Sequence, residues 1–131
     1  MRILFICKHN RFRSKVAEAF FVNYNKNKEN HVKSAGVMLD MLNMYVSPNV
    51  IKVLEEKGAR VVNEKAQEVN EHLIKWADRI IIVADNVDKK IFDRENVFQW
   101  KIADISQSDI EGIRERVEKI EKKVKELIKK L

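Results

Sequence analysis

Two apolar runs, ILFI within RILFIC (2–7) and IIIV within RIIIVAD (79–85), limit what this chain can fold into. A strand with one wet face alternates apolar and polar side chains, whereas an unbroken run is buried on both faces. Such strands belong mainly to parallel sheets, in which helical crossovers cover each side. HVKSAG (31–36) reads as a second short strand ending at a glycine, and VFQWKIAD (97–104) as the last. The stretches between them carry helical signals. RSKVAEAFFVNYNK (13–26) places Val16, Ala17, Phe20 and Tyr24 at three–four spacing. Ser47 caps and Pro48 opens a helix that stops at Gly58. ARVVN (59–63) is read as a short extension and QEVNEHLIKWA (67–77) as a helix. Ser108 and Glu111 form a capping box ahead of a long final helix. The expectation is one α/β domain over residues 1–131, with a four-stranded parallel sheet, right-handed crossovers and helices on both faces.

Charge bears on ligands and not on fold. Lys and Arg number 26 against 20 acidic residues, a net charge of +6 that favours anionic ligands, whether phosphate esters or nucleic acid. The basic residues of the last helix are interleaved with Glu, so a solvated face is expected there and no nucleic-acid stripe. Its apolar residues Ile110, Ile113, Val117, Ile120, Val124, Leu127 and Leu131 follow a heptad-like spacing. Packing onto the sheet is expected, leaving a monomer, with dimerisation through this helix as the alternative. The chain has one cysteine and therefore no internal disulfide, which points to a reducing, cytoplasmic setting. The N-terminal apolar run is too short for a signal peptide or membrane span, so no membrane association is expected. His9, His31 and His72 are scattered and offer no zinc spacing with that one cysteine, so neither metal nor cofactor is expected. The three glycines form no nucleotide P-loop or dinucleotide fingerprint.

The lone cysteine sits in CKHNRFRS (7–14), between the first strand and the first helix. In parallel sheets, ligands bind beyond the carboxyl ends of the strands, often at helix N-termini. The loop from Cys7 to Ser14 is thus expected to aim successive backbone N–H groups at one point, a nest for an oxyanion. Lys8, His9, Asn10, Arg11 and Phe12 fill the loop, and the basic ones add positive field. A thiol held there is favoured as thiolate, which is the nucleophilic form. Arg13 adds a planar fork matched to two oxygens of a tetrahedral anion. Ser14 is placed to donate a hydrogen bond to the sulfur and help it leave in a second step. The arrangement fits attack on phosphorus, or on its analogue arsenic.

C-x5-R-S between a strand and a helix resembles the signature loop of low-molecular-weight protein tyrosine phosphatases and the related arsenate reductases. ILFICKHNRFRSKVAEAFF, SAG (34–36) and ADRIIIVAD (77–85) recur in that family's order. The resemblance implies a phosphocysteine intermediate on Cys7, with a phosphorylated protein, a small phosphomonoester or arsenate as substrate. It further implies that Asn10 holds the loop, that Ser34 supports Asn10, and that Asp104 is the general acid. Two departures stand out. The family's acid is usually followed by Pro, where this chain has Ile105, and no further cysteine is present to resolve an arseno-cysteine adduct. Any arsenate reduction would need an external thiol or glutaredoxin, so phosphatase activity is the expected function. Asp85, at a strand's carboxyl end, is read as a strand-terminating turn, with lining of the site as the alternative. Met38, Met41, Met44 and Tyr45 follow SAG and are read as either substrate wall or core.

Overall fold

The computed structural model describes residues 1–131. Four strands form one sheet: β1 (Arg2–Cys7), β2 (His31–Gly36), β3 (Arg79–Val83) and β4 (Val97–Trp100). Their order is β2-β1-β3-β4, and every pairing is parallel. Between them run α1 (Arg13–Tyr24), α2 (Pro48–Glu56) and α3 (Glu71–Trp76), with α4 (Ile110–Lys129) last.

The two unbroken apolar runs divide their side chains between two cores. Ile3, Phe5, Ile81 and Val83 pack with α1, α2 and α4. Leu4, Ile6, Ile80 and Ile82 face the other way, onto Leu73 and Ala77 around α3, with Val87 and Phe92. Helices therefore cover both faces, as the absence of alternation requires. Helix α1 is buried from Arg13 through Phe21, beyond what one apolar stripe would give, because the sheet, α2 and α4 surround it. The apolar stripe of α4 is used within the chain, with Ile113, Val117, Ile120 and Val124 fully buried.

Several boundaries differ from the sequence expectation. Residues 67–70 are not helical. Gly36 donates to Gln67 O and Val69 to Gly36 O, so this stretch continues the sheet beyond β2 until Asn70 caps α3 through Leu73 N. ARVVN is irregular, and the antiparallel bridge nearby joins Tyr45 to Lys65. The last strand stops at Trp100. The Ser108–Glu111 capping box does not form. Helix α4 begins one residue later, with Asp109 accepting from Gly112 N at 2.9 Å, while Ser108 shares a hydrogen bond with Ser106 and Glu111 pairs with Arg114. The expected cap on α2 is present, Ser47 accepting from Val50 N, and Gly58 (φ +73°) ends that helix.

Candidate active site

Strand β1 ends at Cys7 and α1 starts at Arg13, so five residues must turn the chain from the carboxyl end of this central strand into the helix. Two features make the turn possible. Asn10 takes up φ +52°, a left-handed conformation that Asn tolerates better than most side chains. Gly36, paired with Cys7 at the end of β2, lies directly against the loop. A Cβ there would sit 2.9 Å from Asn10 N, His9 C and Lys8 O. SAG thus ends in glycine because the loop backbone occupies the space of a side chain.

The sulfur lies in the middle of a hydrogen-bonded set. Cys7 Sγ is 2.9 Å from Ser14 Oγ and accepts from Asn10 N at 3.3 Å. Asn10 Nδ2 donates to Ser14 Oγ (2.7 Å) and Ser34 Oγ (3.1 Å), and Asn10 Oδ1 accepts from Gln67 N (3.0 Å). Ser34 donates in turn to Glu18 Oε1 at 2.7 Å. Asn10 and Ser14 are fully buried beside the Cys7 sulfur, and Ser34 is 1% exposed. Because Ser14 Oγ already accepts from Asn10, its own hydrogen is free to point at the sulfur. Glu18 is buried, and desolvation pushes its carboxyl above the ordinary range, with the Ser34 hydrogen bond and the Lys15 charge opposing. Desolvation likewise lowers Lys15, whose Nζ donates to Lys65 O at 2.9 Å.

Arg13 is 2% exposed and is gripped by the ends of β3 and β4. Its Nη1 donates to Ile102 O at 2.8 Å and its Nη2 to Asn86 Oδ1 at 3.0 Å. Asp85 and Asp104 stand 3.7 and 3.8 Å from the guanidinium. Asp85 is therefore part of the site's surroundings, the alternative to the turn reading. Asp104 also accepts from Ile105 N at 2.9 Å. That bond exists because residue 105 has an N–H, which a proline would lack.

A cleft of about 210 Å³ opens above the sulfur, lined by Cys7, His9, Arg11, Phe12, Arg13, Asp104, Ile105, Ser106 and Gln107. The structure thus brings the sequence-expected nucleophile, arginine fork and acid to one opening. Lys8, Asn10, Ser14 and Ser34 lie outside its lining. Met38, Met41 and Tyr45 are neither core nor lining, being 60%, 77% and 59% exposed beside the loop. Their backbone braces it: Met38 N donates to Lys8 O, and Met38 O and Tyr45 O accept from His9 and Arg11 side chains. Met44 is half-buried. Asn86, Gln67, Glu18 and the wall formed by Ser106 and Gln107 escaped the sequence reading. Only the carboxyl-end position of Asn86 after a strand offered a signal.

A parallel sheet whose first strand delivers a cysteine into a loop at a helix N-terminus defines a class of α/β proteins. This chain belongs to the low molecular weight phosphotyrosine protein phosphatase family, whose family model matches residues 2–131. That family acts on phosphorylated substrates. The fold is similar to that of the YwlE arginine phosphatase of Geobacillus stearothermophilus, with a TM-score of 0.85, 26% identity, and coverage of 98% of this chain and 91% of that one. It is also similar to an arsenate reductase of Archaeoglobus fulgidus, with a TM-score of 0.79, 29% identity, and coverage of 96% and 98%. A 4-hydroxy-3-methylbut-2-enyl diphosphate reductase of Caldanaerobacter subterraneus is 32% identical over 94% of this chain and 40% of its own length. The chain spans 40% of that relative and 60% of a matching arsenate reductase of Bacillus cereus. No helix is long and apolar enough to cross a membrane.

Proposed function

We propose that residues 1–131 form one low-molecular-weight phosphatase-like domain that hydrolyses phosphomonoesters through a phosphocysteine on Cys7. The observation that carries this reading is the convergence of Cys7, Arg13 and Asp104 on one cleft, with Ser14 Oγ 2.9 Å from the sulfur. The phosphoryl oxygens take the backbone N–H groups of residues 8–13 and the Arg13 fork. Cys7 Sγ attacks phosphorus, the P–O bond to the leaving group breaks, and the Asp104 carboxyl gives its proton to the departing oxygen. Asp104, now a carboxylate, takes a proton from water as that water attacks the phosphocysteine. The S–P bond breaks, and the Ser14 hydroxyl stabilises the sulfur as it leaves with the electron pair. No metal or cofactor enters the cycle. A lone cysteine nucleophile must stay reduced, which favours a cytoplasmic site of action.

Arsenate reduction is the second reading, favoured by the 29% identity to an arsenate reductase over 96% of this chain. The single cysteine means that an external thiol or glutaredoxin would have to take the arsenic from sulfur. The test pairs Cys7→Ser with rapid quench of the wild type. Turnover should vanish in the variant while oxyanion binding persists, and a phosphocysteine should be trapped in the wild type. Substantial phosphatase activity in Cys7→Ser rejects the mechanism. Thiol-dependent arsenate turnover without phosphatase activity reverses the ranking.

A further inference from the structure

The reaction needs the floor of the cleft, but its rim carries charge that the reaction does not use. Arg11, half-buried on one side, makes a single hydrogen bond, from Nε to Tyr45 O at 3.1 Å. That bond fixes the guanidinium and leaves its two terminal nitrogens without a carboxylate partner. Beside it, His9 donates from Nδ1 to Met38 O at 2.6 Å, so the ring is pinned with Nε2 free. The facing wall, Ile105 to Gln107, has no charge. The acids near the sulfur, Asp104 in the cleft lining and Asp85 outside it, already lie within 4 Å of Arg13. On the Arg11 side stands Asp40, whose carboxylate is occupied by Asn43 and Leu42 N. These two bonds hold it below the usual carboxylate range, with His9 and Arg11 adding to the effect. The segment whose Met38 and Tyr45 backbones brace the loop also carries exposed apolar side chains, Met38, Met41, Leu42 and Tyr45.

Resting on the phosphatase reading, we propose that Arg11 selects phosphorylated protein segments that carry acidic residues beside the phosphorylated side chain. The phosphoryl group occupies the Cys7–Arg13 floor, and a neighbouring carboxylate takes the free fork of Arg11. Arginine is suited to this because its planar donors match a carboxylate in bidentate fashion. The exposed apolar side chains beside the loop give the rest of such a segment a surface to lie on. A cationic group next to the phosphoryl meets Arg11 and is repelled.

The test uses two phosphotyrosine peptides of equal length, with Glu or Lys on both sides of the phosphotyrosine. At low salt the acidic peptide should have the higher kcat/KM, on the order of tenfold for one partly screened charge pair. The ratio should shrink as salt is added. In Arg11→Glu the order should reverse. Equal kcat/KM for the two peptides, a ratio indifferent to salt, or an acidic preference retained in Arg11→Glu overturns the proposal. So does turnover of p-nitrophenyl phosphate with neither peptide accepted. If neither the peptides nor p-nitrophenyl phosphate is hydrolysed, the phosphatase reading itself fails.

Discussion

Asn10 is the residue on which the loop's shape most depends, and its replacement by alanine has a cost that can be worked from the structure. The side chain holds Ser14, Ser34 and Gln67 N in three hydrogen bonds of 2.7, 3.1 and 3.0 Å, and it is fully buried. Each such bond contributes about 1 kcal/mol net, and a buried partner left unpaired costs about 1–3 kcal/mol. Alanine at φ +52° adds about 1 kcal/mol of backbone strain. Partial rehydration of the Gln67 amide offsets some of this, leaving roughly 3–5 kcal/mol against a typical total stability of about 5–15 kcal/mol. Asn10→Gly separates the two contributions, because glycine adopts positive φ freely. It should be about 1 kcal/mol more stable than Asn10→Ala. Urea denaturation of the three proteins, with slopes compared to check that unfolding stays two-state, provides the measurement. A loss below 1 kcal/mol in Asn10→Ala would refute the hub role. A glycine variant no better than alanine would refute the strain assigned to the backbone.

Gly36→Ala should keep the fold, since overpacking typically costs about 1–3 kcal/mol. Its Cβ must push back Lys8 O, His9 C and Asn10 N from 2.9 Å, so kcat/KM should drop on the order of 100-fold, and wild-type kinetics would remove the close-approach argument. Asp104→Asn should slow phosphotyrosine far more than p-nitrophenyl phosphate, by about a hundred- to ten-thousand-fold for the basic leaving group. Equal, small losses on both substrates would leave Asp104 a turn residue. Tyr24 donates to Glu121 at 2.5 Å, and chiefly through that bond its pKa is pushed up to about 12. Because the folded state holds this proton more firmly than the unfolded chain, the contribution is complete below pH 10 and fades as pH rises through 12. Denaturation midpoints of Tyr24→Phe should therefore fall less steeply across that range than those of the wild type, and parallel curves would discount the bond.

The parts of the fold written in short-range pattern were legible. Unbroken apolar runs identified β1 and β3, and Ser47, Pro48 and Gly58 bounded α2 closely because caps act within a few residues. The misreadings came where a distant partner decided. Residues 67–70 have helical composition, yet Gly36 pairs with them as a strand. At α4, Ser108 and Asp109 competed for one role, and the carboxylate one position closer to Gly112 N took it. The site divides similarly. Cys7, Arg13 and Ser14 lie within one loop and could be read together, whereas Asn86 and Gln67 reach it only through sheet topology. Asp85 was noticed but underrated, because a strand-end carboxylate looks like a turn until the arginine beside it is known.

Arg13 joins the Cys7–Ser14 loop to chain segments synthesised long after it. Its hydrogen bonds reach Asn86 and Ile102, 73 and 89 positions away. A chain that has closed only β1, α1 and β2 has its cysteine but lacks both the Gln67 bond to Asn10 and the partners that hold the guanidinium in place. The hold on Arg13 is thus made only when the segments that follow β3 and β4 are in place. Long-range pairings of this kind are also the slow ones. Recovery of activity on refolding should therefore coincide with docking of β4 and lag behind protection of the β1–β2 pair. Arg13 thereby ties the loop at the start of the chain to the segments near its end.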